Sequence, residues 1–286
     1  MLGEGAPDLS GAKSPIGEKA IELMEEDWDA FNTWAYSIPL NKEQSEAWLS
    51  IFEGTNMFTQ IQGPAGTGKT RLNVISILCF ALLGYRSVIT APTNKACEAT
   101  MKALMSELAG LYTIFPAAKS LFKIVYFPTS AALRDQLMHS GDNADSDVEA
   151  DVQDMYNEGE DSVNASRQDL KQYQLWSQVE DHFMAICENG KVAPQTVADA
   201  NEWFDTLDYL RKHQKISFKD KKKFLMLCQD ADMEVFKDPL VKIVITTSNN
   251  ADQLRAVGYK CEALIIDECI FGTEPDTCVP LSLNAQ

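Results

Sequence analysis

The sequence predicts an α/β protein whose parallel β-sheet is interrupted by an inserted helical segment. Short apolar runs alternate with helical periodicity over residues 38–128. Residues 129–239 are acidic and mostly helical in pattern, and apolar runs return over 240–286. Strands that alternate with helices favour a parallel sheet, because each parallel connection has to cross over the sheet. Residues 1–37 are predicted to form an amphipathic helical lead-in.

The separate elements follow from apolar periodicity and from turn residues. Helices are predicted at 40–52, 69–83, 94–108, 167–186, 196–213 and 219–231. Strands are predicted at 57–62, 86–93, 122–128, 240–247 and 262–267. The helix at 69–83 is apolar on nearly all sides, which indicates burial. Asn94 stands at a suitable N-cap position for the helix that follows it.

The charge of the chain is unevenly distributed. The net charge is −17 over 286 residues, yet residues 36–128 hold 8 basic and 5 acidic side chains. Residues 141–161 hold nine acidic and no basic residues, and few large apolar ones, so this stretch is predicted to be a disordered acidic loop. The segment that contains the glycines is thus the only one with a positive charge balance, and the acidity lies mainly in the ends and the middle of the chain.

Cysteine and apolar patterns predict an intracellular protein. The seven cysteines form no C-x-x-C pair, and the three histidines are far apart in sequence. This pattern argues against a disulfide framework or a zinc site and favours the cytoplasm or nucleus. No secretory signal is visible at the N-terminus. The most apolar stretch, 74–83, is about half as long as a membrane span, so no membrane association is expected.

The segment "GPAGTGKT", from Gly63 to Thr70, fits the phosphate-loop pattern G-x-x-x-x-G-K-[ST] between a predicted strand and a predicted helix. Glycines let successive backbone N–H groups point at phosphate oxygens, and the helix start adds its positive dipole end. Lys69 is expected to meet the β- and γ-phosphates, and Thr70 to offer its hydroxyl to Mg²⁺. The alternative is a glycine-rich turn with an exposed lysine. The nucleotide-binding candidates are Gly63, Pro64, Ala65, Gly66, Thr67, Gly68, Lys69, Thr70 and Arg71.

A carboxylate pair follows a distant strand. "ALIIDEC" places Asp267 at the carboxyl end of four apolar residues, the edge at which α/β sheets bind ligands. Asp267 is the predicted second metal ligand beside Thr70, and Glu268 is predicted to take a proton from the attacking water. Without other evidence, a pair of acids after a strand indicates only a strand end that faces solvent. Together with the phosphate loop it predicts ATP and Mg²⁺ binding.

Six short motifs, in order, resemble those of the superfamily 1 helicases, in the branch related to the helicase of nonsense-mediated mRNA decay. "LNKEQSEA" resembles the Q motif, with Gln44 as the adenine-reading residue, and "IQGPAGTGKT" resembles motif I. "APTNKAC", "KIVYF", "VITTSNNA" and "LIIDEC" stand at motifs Ia, Ib, Ic and II. The resemblance implies a RecA-like domain, ATP hydrolysis and binding of single-stranded RNA or DNA. It implies backbone contacts from Pro92, Thr93, Asn94, Thr246 and Thr247, each of which is otherwise an ordinary cap or turn residue.

The resemblance also has consequences for domain organisation. It implies a RecA-like domain in two parts, 38–128 and 240–286, with the helical subdomain 129–239 inserted between them. Cys269 replaces the usual alanine of motif II, and Phe271 stands where a glutamine relays nucleotide state. Only 19 residues follow Asp267. A second RecA-like domain, which supplies arginines to the transferring phosphate, is therefore expected to be absent, and the chain alone is expected to be a weak or inactive ATPase.

Three alternatives remain open from the sequence. The chain is either part of a helicase motor or a nucleotide-binding remnant that serves as an interaction module. A nuclease-associated ATPase is a weaker third choice, since no nuclease motif is found.

The basic cluster 211–223 is either a solvated helix face or a patch that binds a nucleic-acid strand. Trp176, Trp203 and Tyr209 are predicted to form the small core of the insertion rather than to stack on bases.

Overall fold

The computed structural model describes residues 28–53, 59–64, 66–127, 170, 172–188, 193–211, 218–268, 279–281 and 283. The predicted acidic loop at 141–161 lies outside these residues. Ala65, Cys269 and Phe271 lie outside them as well. The described residues fall into two compact units. The first draws on residues 1–124, 240–252 and 260–286, and the second on 125–239 and 253–259.

Four strands form one sheet in the order β2-β3-β1-β4, and β1 pairs in parallel with both β3 and β4. Their bounds are β1 Ser87–Ala91, β2 Lys123–Tyr126, β3 Val241–Thr247 and β4 Ala263–Ile266. All of β1 is buried, as is most of β3. Strands that are covered on both faces read as continuous apolar runs, which is why these segments were recognisable in the sequence. The prediction of an α/β protein with a parallel sheet is confirmed.

Helices account for most of the remaining described chain. Those before the sheet or between its first strands are α1 Trp28–Ser37, α2 Lys42–Glu53, α3 Lys69–Leu82 and α4 Asn94–Ile114, followed by a short 3₁₀-helix, Pro116–Ser120. The later helices are α5 Leu175–Glu188, α6 Pro194–Arg211, α7 Phe218–Lys237 and α8 Ala251–Ala256. Every residue from 74 to 83 is buried, so the prediction that α3 is a buried helix is confirmed.

Two local predictions in the first unit are wrong. The strand expected at 57–62 is not a strand in its described part, 59–62. Only Ile61 is apolar in this part, so a strand there would bury little apolar surface. The N-cap of α4 is Thr93 rather than Asn94: Thr93 is extended, and its Oγ1 accepts a hydrogen bond from Ala96 N at 3.2 Å. Asn94 is the first helical residue.

In the described part of the second unit, the helices α5, α6 and α7 pack around aromatic rings. Trp203 is fully buried between Phe183 and Phe224, with ring centroids 4.8 and 6.0 Å away. Its place in the core is therefore confirmed. Tyr209 is 54% exposed, so its assignment to the core is wrong. Tyr209 follows Trp203 by six positions, so its side chain lies about 240° further around the helix, away from the core. The side chain of Trp176 lies outside the described residues.

Candidate nucleotide site

The segment 63–70 forms a tight loop that ends in the first turn of α3. Gly66 and Gly68 have φ angles of 79° and 83°, in the left-handed region that favours glycine. Gly68 is the N-cap of α3, and no side chain caps the helix there. The first N–H groups of an α-helix have no partner within the helix. The loop thus carries the uncapped amide groups and positive dipole end that bind anions.

Lys69 folds back over this loop. Its Nζ donates to the carbonyl oxygens of Gly63, at 2.6 Å, and Pro64, at 2.8 Å. The hydroxyl of Thr67 also donates to the carbonyl of Pro64, at 2.8 Å. The ammonium therefore lies inside the curve of the loop, held by neutral acceptors only. A phosphate oxygen is a stronger, charged acceptor for the same group.

Gln44 contacts the loop from α2. Its backbone N–H donates to Asn41 Oδ1 at 2.8 Å, and its own Oε1 accepts from Asn41 N at 3.0 Å, which is the reciprocal pattern of a capping box. Its Nε2 donates to the carbonyl oxygen of Thr67 at 2.9 Å. The side chain is so close to Gly68 that a Cβ atom at this glycine would lie 2.7 Å from Nε2. Gln44 thus joins the start of α2 to the predicted phosphate loop.

Arg71 points away from the loop. Its Nε donates to Glu107 Oε1 of α4 at 2.6 Å, and its Nη1 donates to the carbonyl oxygen of Pro39 at 3.3 Å. The side chain of Glu107 is mostly buried, at 18% exposed, whereas that of Arg71 is 37% exposed. The side chain of Arg71 is therefore held by groups of α4 and of residue 39, and no hydrogen bond joins it to the described part of the loop.

Asp267 and Thr70 meet at the carboxyl edge of the sheet. β4 pairs with β1 so that Ile266 lies opposite Thr90, and the next backbone N–H, of Asp267, donates to the Thr90 carbonyl at 2.8 Å. The Asp267 side chain is buried, and its Oδ2 accepts from Thr70 Oγ1 at 3.3 Å. Its Oδ1 accepts from the backbone N–H of Glu268 at 3.0 Å. The first turn of α3 and the end of β4 therefore bring the two predicted metal ligands together.

Glu268 is exposed and has a φ angle of 51°, the only positive φ of a non-glycine residue in the described chain. A side chain in this conformation costs roughly 1–2 kcal/mol. Strain of this kind persists where the surrounding structure fixes the backbone, and it is common at functional sites. Here the hydrogen bond from Glu268 N to Asp267 and the pairing of β4 hold the turn.

The predicted nucleic-acid residues divide by exposure. Thr93 and Asn94 are exposed, and Pro92 is half-buried. Thr246 and Thr247, at the end of β3, are buried, and Thr247 Oγ1 accepts from Asn250 N at 3.3 Å. All five follow or end neighbouring parallel strands, because Thr247 pairs with Ala91. They share the sheet edge of Asp267, and of these five residues only Thr93 and Asn94, after β1, have exposed side chains.

Three residues around the site, Asn41, Glu107 and Cys97, were not singled out in the sequence. The Asn41–Gln44 capping box had a signal, an N-cap residue followed three positions later by glutamine. Glu107 had none, because its partner Arg71 is 36 positions away. Cys97 is buried near Asp267: burial raises the pKa of its thiol to about 12, and the Asp267 charge contributes to the increase. A neutral thiol therefore lies behind the carboxylate.

An uncapped, glycine-bounded helix start, with a lysine over it and a buried aspartate beside it, defines a P-loop domain of the NTPase type. A family model described as "AAA domain" matches residues 39–286, and the chain belongs to this family. The family occurs in superfamily 1 helicases of the branch named above, and P-loop NTPase domains of this kind generally use ATP and Mg²⁺. A comparison with curated proteins finds no match. None of the described helices is both long enough and apolar enough to cross a membrane.

Proposed function

We propose that this chain binds ATP with Mg²⁺ at the 63–70 loop and uses its hydrolysis to act on single-stranded RNA or DNA, as part of a helicase motor. The observation that carries the proposal is the contact of Thr70 with the buried Asp267 at the uncapped start of α3. This contact places two oxygen ligands suited to a hard cation, a hydroxyl and a carboxylate, beside a loop suited to bind an anion. With this function we propose a RecA-like domain that carries the 129–239 helices as an inserted subdomain.

The loop would hold the triphosphate by exchange of partners. Lys69 Nζ now donates to two carbonyls of the loop, and a β- or γ-phosphate oxygen would replace them as a charge-assisted acceptor. The open N–H groups after Gly68 would donate to the same phosphates. Phosphate binding thereby removes the self-contact of the loop and supplies partners to amides that lack them.

The residues present fit a magnesium ion. A hydroxyl and a carboxylate are hard oxygen ligands, and Mg²⁺ is usually bound by one or two such groups together with phosphates and water. Thr70 and Asp267 would hold the ion, which would supply positive charge to offset the negative charge that develops on the phosphates during transfer. The hydrogen bonds that Asp267 accepts from Thr70 Oγ1 and Glu268 N would hold its carboxylate in position beside the ion.

Glu268 would position and deprotonate the attacking water. It is the residue after the proposed metal ligand, and its side chain is exposed, so water reaches it. The left-handed turn at Glu268 aims the side chain differently from a continued strand. A carboxylate within hydrogen-bond reach of the nucleophile is the usual base in this chemistry.

Gln44 would read the base. Its Nε2 donates one N–H to the Thr67 carbonyl oxygen, and its Oε1 accepts the Asn41 N–H with one lone pair. One donor site and one acceptor site of the amide therefore remain. That pair matches the N7 acceptor and N6 donor of adenine. The same amide touches the loop that holds the phosphates. Base and phosphates would therefore be bound by one connected set of residues.

The strand would lie along the sheet edge after β1. Thr93 and Asn94 are exposed at the N-terminus of the 21-residue helix α4, where hydroxyl, amide and backbone N–H groups suit phosphate oxygens. Contacts of this type are independent of base sequence and weaken as salt rises. Pro92 would shape the turn that presents them. Thr246 and Thr247 are buried at the end of β3, where they would support this edge from the interior of the protein.

One observation favours the second candidate, a nucleotide-binding module without motor activity. Two of the five proposed strand contacts, Thr246 and Thr247, are buried, which leaves a small exposed surface for nucleic acid. Measurement of ATP turnover with and without single-stranded RNA or DNA separates the two functions. Stimulation by the strand supports the motor, whereas ATP binding without stimulated turnover supports the module.

The nucleotide site itself is tested by Lys69→Ala. Calorimetric titration with ATP and Mg²⁺ is expected to show a loss of affinity of at least about a hundredfold, because the main cation at the phosphates is gone. Lys119→Ala is the matched control, since Lys119 lies in the 3₁₀-helix, over the ring of Tyr112, and not in the loop. Equal affinity of the Lys69 variant and the parent would exclude the site.

A further inference from the structure

Arg71 occupies an unusual position for a cation. It lies in the first turn of α3, where the helix dipole disfavours positive charge, directly after Lys69 and Thr70. Glu107 of α4 offsets that charge with a hydrogen-bonded ion pair of 2.6 Å. The guanidinium is thereby drawn to the side of α3 that faces α4. A second hydrogen bond, from Nη1, fixes the guanidinium to the carbonyl oxygen of Pro39.

Pro39 lies two residues before the capping box. The chain turns there, with Leu40 N donating to Ile38 O at 2.9 Å, and Asn41 then starts α2 by its exchange of bonds with Gln44. The position of Pro39 therefore sets where Asn41 starts the helix. Asn41 in turn fixes the orientation of the Gln44 amide, because it holds Oε1 and leaves Nε2 for Thr67.

These contacts form a continuous path through the first unit. It runs from Glu107 to Arg71, from Arg71 to the Pro39 carbonyl, and on through Asn41 to Gln44. The step from Pro39 to Asn41 follows the backbone through Leu40, and the other steps are hydrogen bonds between 2.6 and 3.3 Å. The path ends at the carbonyl oxygen of Thr67 in the phosphate loop. A fork-shaped guanidinium can satisfy two such acceptors at once, which a lysine cannot do in the same geometry.

We infer that Arg71 is a positioning residue for base recognition: paired with Glu107, it anchors Pro39 and so orients Gln44 toward adenine, and it does not hold phosphate. The inference rests on the proposed ATP site and adds to it the residues that decide base preference. It also separates Arg71 from its neighbours Lys69 and Thr70, with which the sequence grouped it.

The test uses the 286-residue chain and three probes with Mg²⁺: ATP, GTP and inorganic tripolyphosphate. The parent is expected to bind ATP more tightly than GTP. Arg71→Met is expected to weaken ATP binding about three- to tenfold, the size of one hydrogen bond, and to reduce the ATP-to-GTP preference by the same factor. Affinity for tripolyphosphate is expected to stay within about twofold of the parent, because the loop and Lys69 are intact.

Glu107→Met is the second variant, and it is expected to reduce the preference for ATP in the same direction although Glu107 is on α4. Glu98→Met is its matched control, because Glu98 is on the same helix and pairs with Lys102 at 2.5 Å without reaching Pro39. In a Gln44→Ala background, Arg71→Met is expected to cause no further loss of ATP preference, since both changes act on the same contact.

Two results would overturn the inference alone. Weakened tripolyphosphate binding in Arg71→Met would make Arg71 a phosphate ligand. A loss of ATP preference in Arg71→Met but not in Glu107→Met would make Arg71 a direct base contact. Failure of the parent to bind ATP and tripolyphosphate would instead overturn the proposed function, and the inference with it. Circular dichroism of each variant shows that the fold is retained.

Discussion

Thr70 and Asp267 are 197 positions apart in the chain, and Thr70 Oγ1 donates to Asp267 Oδ2 at 3.3 Å. Their meeting results from the sheet order, because β4 lies beside the central strand β1, and the start of α3 lies at the carboxyl edge of that pair. A hydroxyl and a carboxylate so placed form a candidate site for a hard cation beside the phosphate loop.

Asp267→Asn is expected to remove the dependence of ATP affinity on Mg²⁺. An amide is a weaker ligand than a carboxylate for a hard cation. The parent should bind ATP at least about tenfold more tightly with Mg²⁺ than in EDTA, and the variant should show nearly equal affinities; calorimetry measures both. Thr70→Ser, which keeps the hydroxyl, should behave like the parent. A full response of the variant to Mg²⁺ would contradict the assignment of Asp267.

Glu268→Gln and Glu268→Gly are expected to differ in stability while sharing a loss of ATP turnover. Both remove the carboxylate that would activate water. Only glycine accepts a φ of 51° without strain, although its unfolded chain gains entropy. We therefore expect the glycine variant to be as stable as the parent or more stable, by up to about 1 kcal/mol, and more stable than the glutamine variant. Urea unfolding measures the difference, and turnover retained in both variants would exclude the base.

Gly68→Ala is expected to disturb the loop more than Gly66→Ala. Both glycines have positive φ, so alanine costs roughly 1 kcal/mol of conformational strain at either position. A Cβ at Gly68 would also lie 2.7 Å from Gln44 Nε2, whereas nothing lies within 4 Å of one at Gly66. ATP affinity should fall further in the Gly68 variant, and Gln44→Ala should remove the steric part of that loss. Equal losses at the two glycines would contradict the close approach of Gln44.

Trp203→Ala is expected to destabilise the second unit by about 3–5 kcal/mol. The ring is fully buried between Phe183 and Phe224, and its Nε1 donates to Cys228 Sγ at 3.3 Å. Tyr209→Ala on the same helix is the control, since this exposed side chain should change the free energy of unfolding by no more than about 0.5 kcal/mol. Chemical unfolding followed by circular dichroism gives both values. Similar effects of the two changes would contradict this core.

Stability is expected to fall in alkaline solution because of buried thiols. Burial raises the pKa of Cys97 to about 12 and that of Cys261 to about 11, from an ordinary value of 9.0, and it also raises the pKa of Cys79. A raised folded-state pKa contributes stability that is complete below pH 9.0 and is lost as pH rises toward the folded value. The expected slope is about 1.4 kcal/mol per pH unit for each thiol.

Urea unfolding in reductant at pH 8 and at pH 10.5 measures this loss. Cys97→Ala should lower the slope of stability against pH by about the contribution of one thiol. Replacement of the exposed Cys187 by alanine should leave that slope unchanged. A free energy of unfolding that does not decline between the two pH values would show that the thiols are not protected by burial.

Elements with a strong local signal were predictable from the sequence. The buried strands β1, β3 and β4 read as apolar runs, and α3 read as a helix apolar on all sides, since burial on both faces leaves no polar alternation. The segment 57–62 looked similar, but its described part, 59–62, is mostly exposed and forms no strand. Strand formation depends on burial against the rest of the fold, which local sequence does not report.

In the candidate site, too, the sequence predicted only features that depend on residues close together in the chain. A loop of eight residues carries its chemistry within its own sequence, so Gly63 to Thr70 could be proposed as a phosphate loop without a structure. Arg71 was grouped with them because of adjacency alone, and the structure places its side chain against Glu107 and Pro39 instead. Side chains of consecutive helical residues point about 100° apart, so neighbours in sequence readily face different partners.

By itself the sequence determined the alternation of strands and helices, the glycine-rich loop at the start of α3 and the acids at the end of β4, because these depend on residues close together in the chain. Only the tertiary structure decided that Asp267 meets Thr70, that Gln44 contacts Thr67 and that Thr246 and Thr247 are buried. These contacts depend on the order in which strands pair and on the register between them. That order is set by packing over the whole sheet, and no short segment contains it.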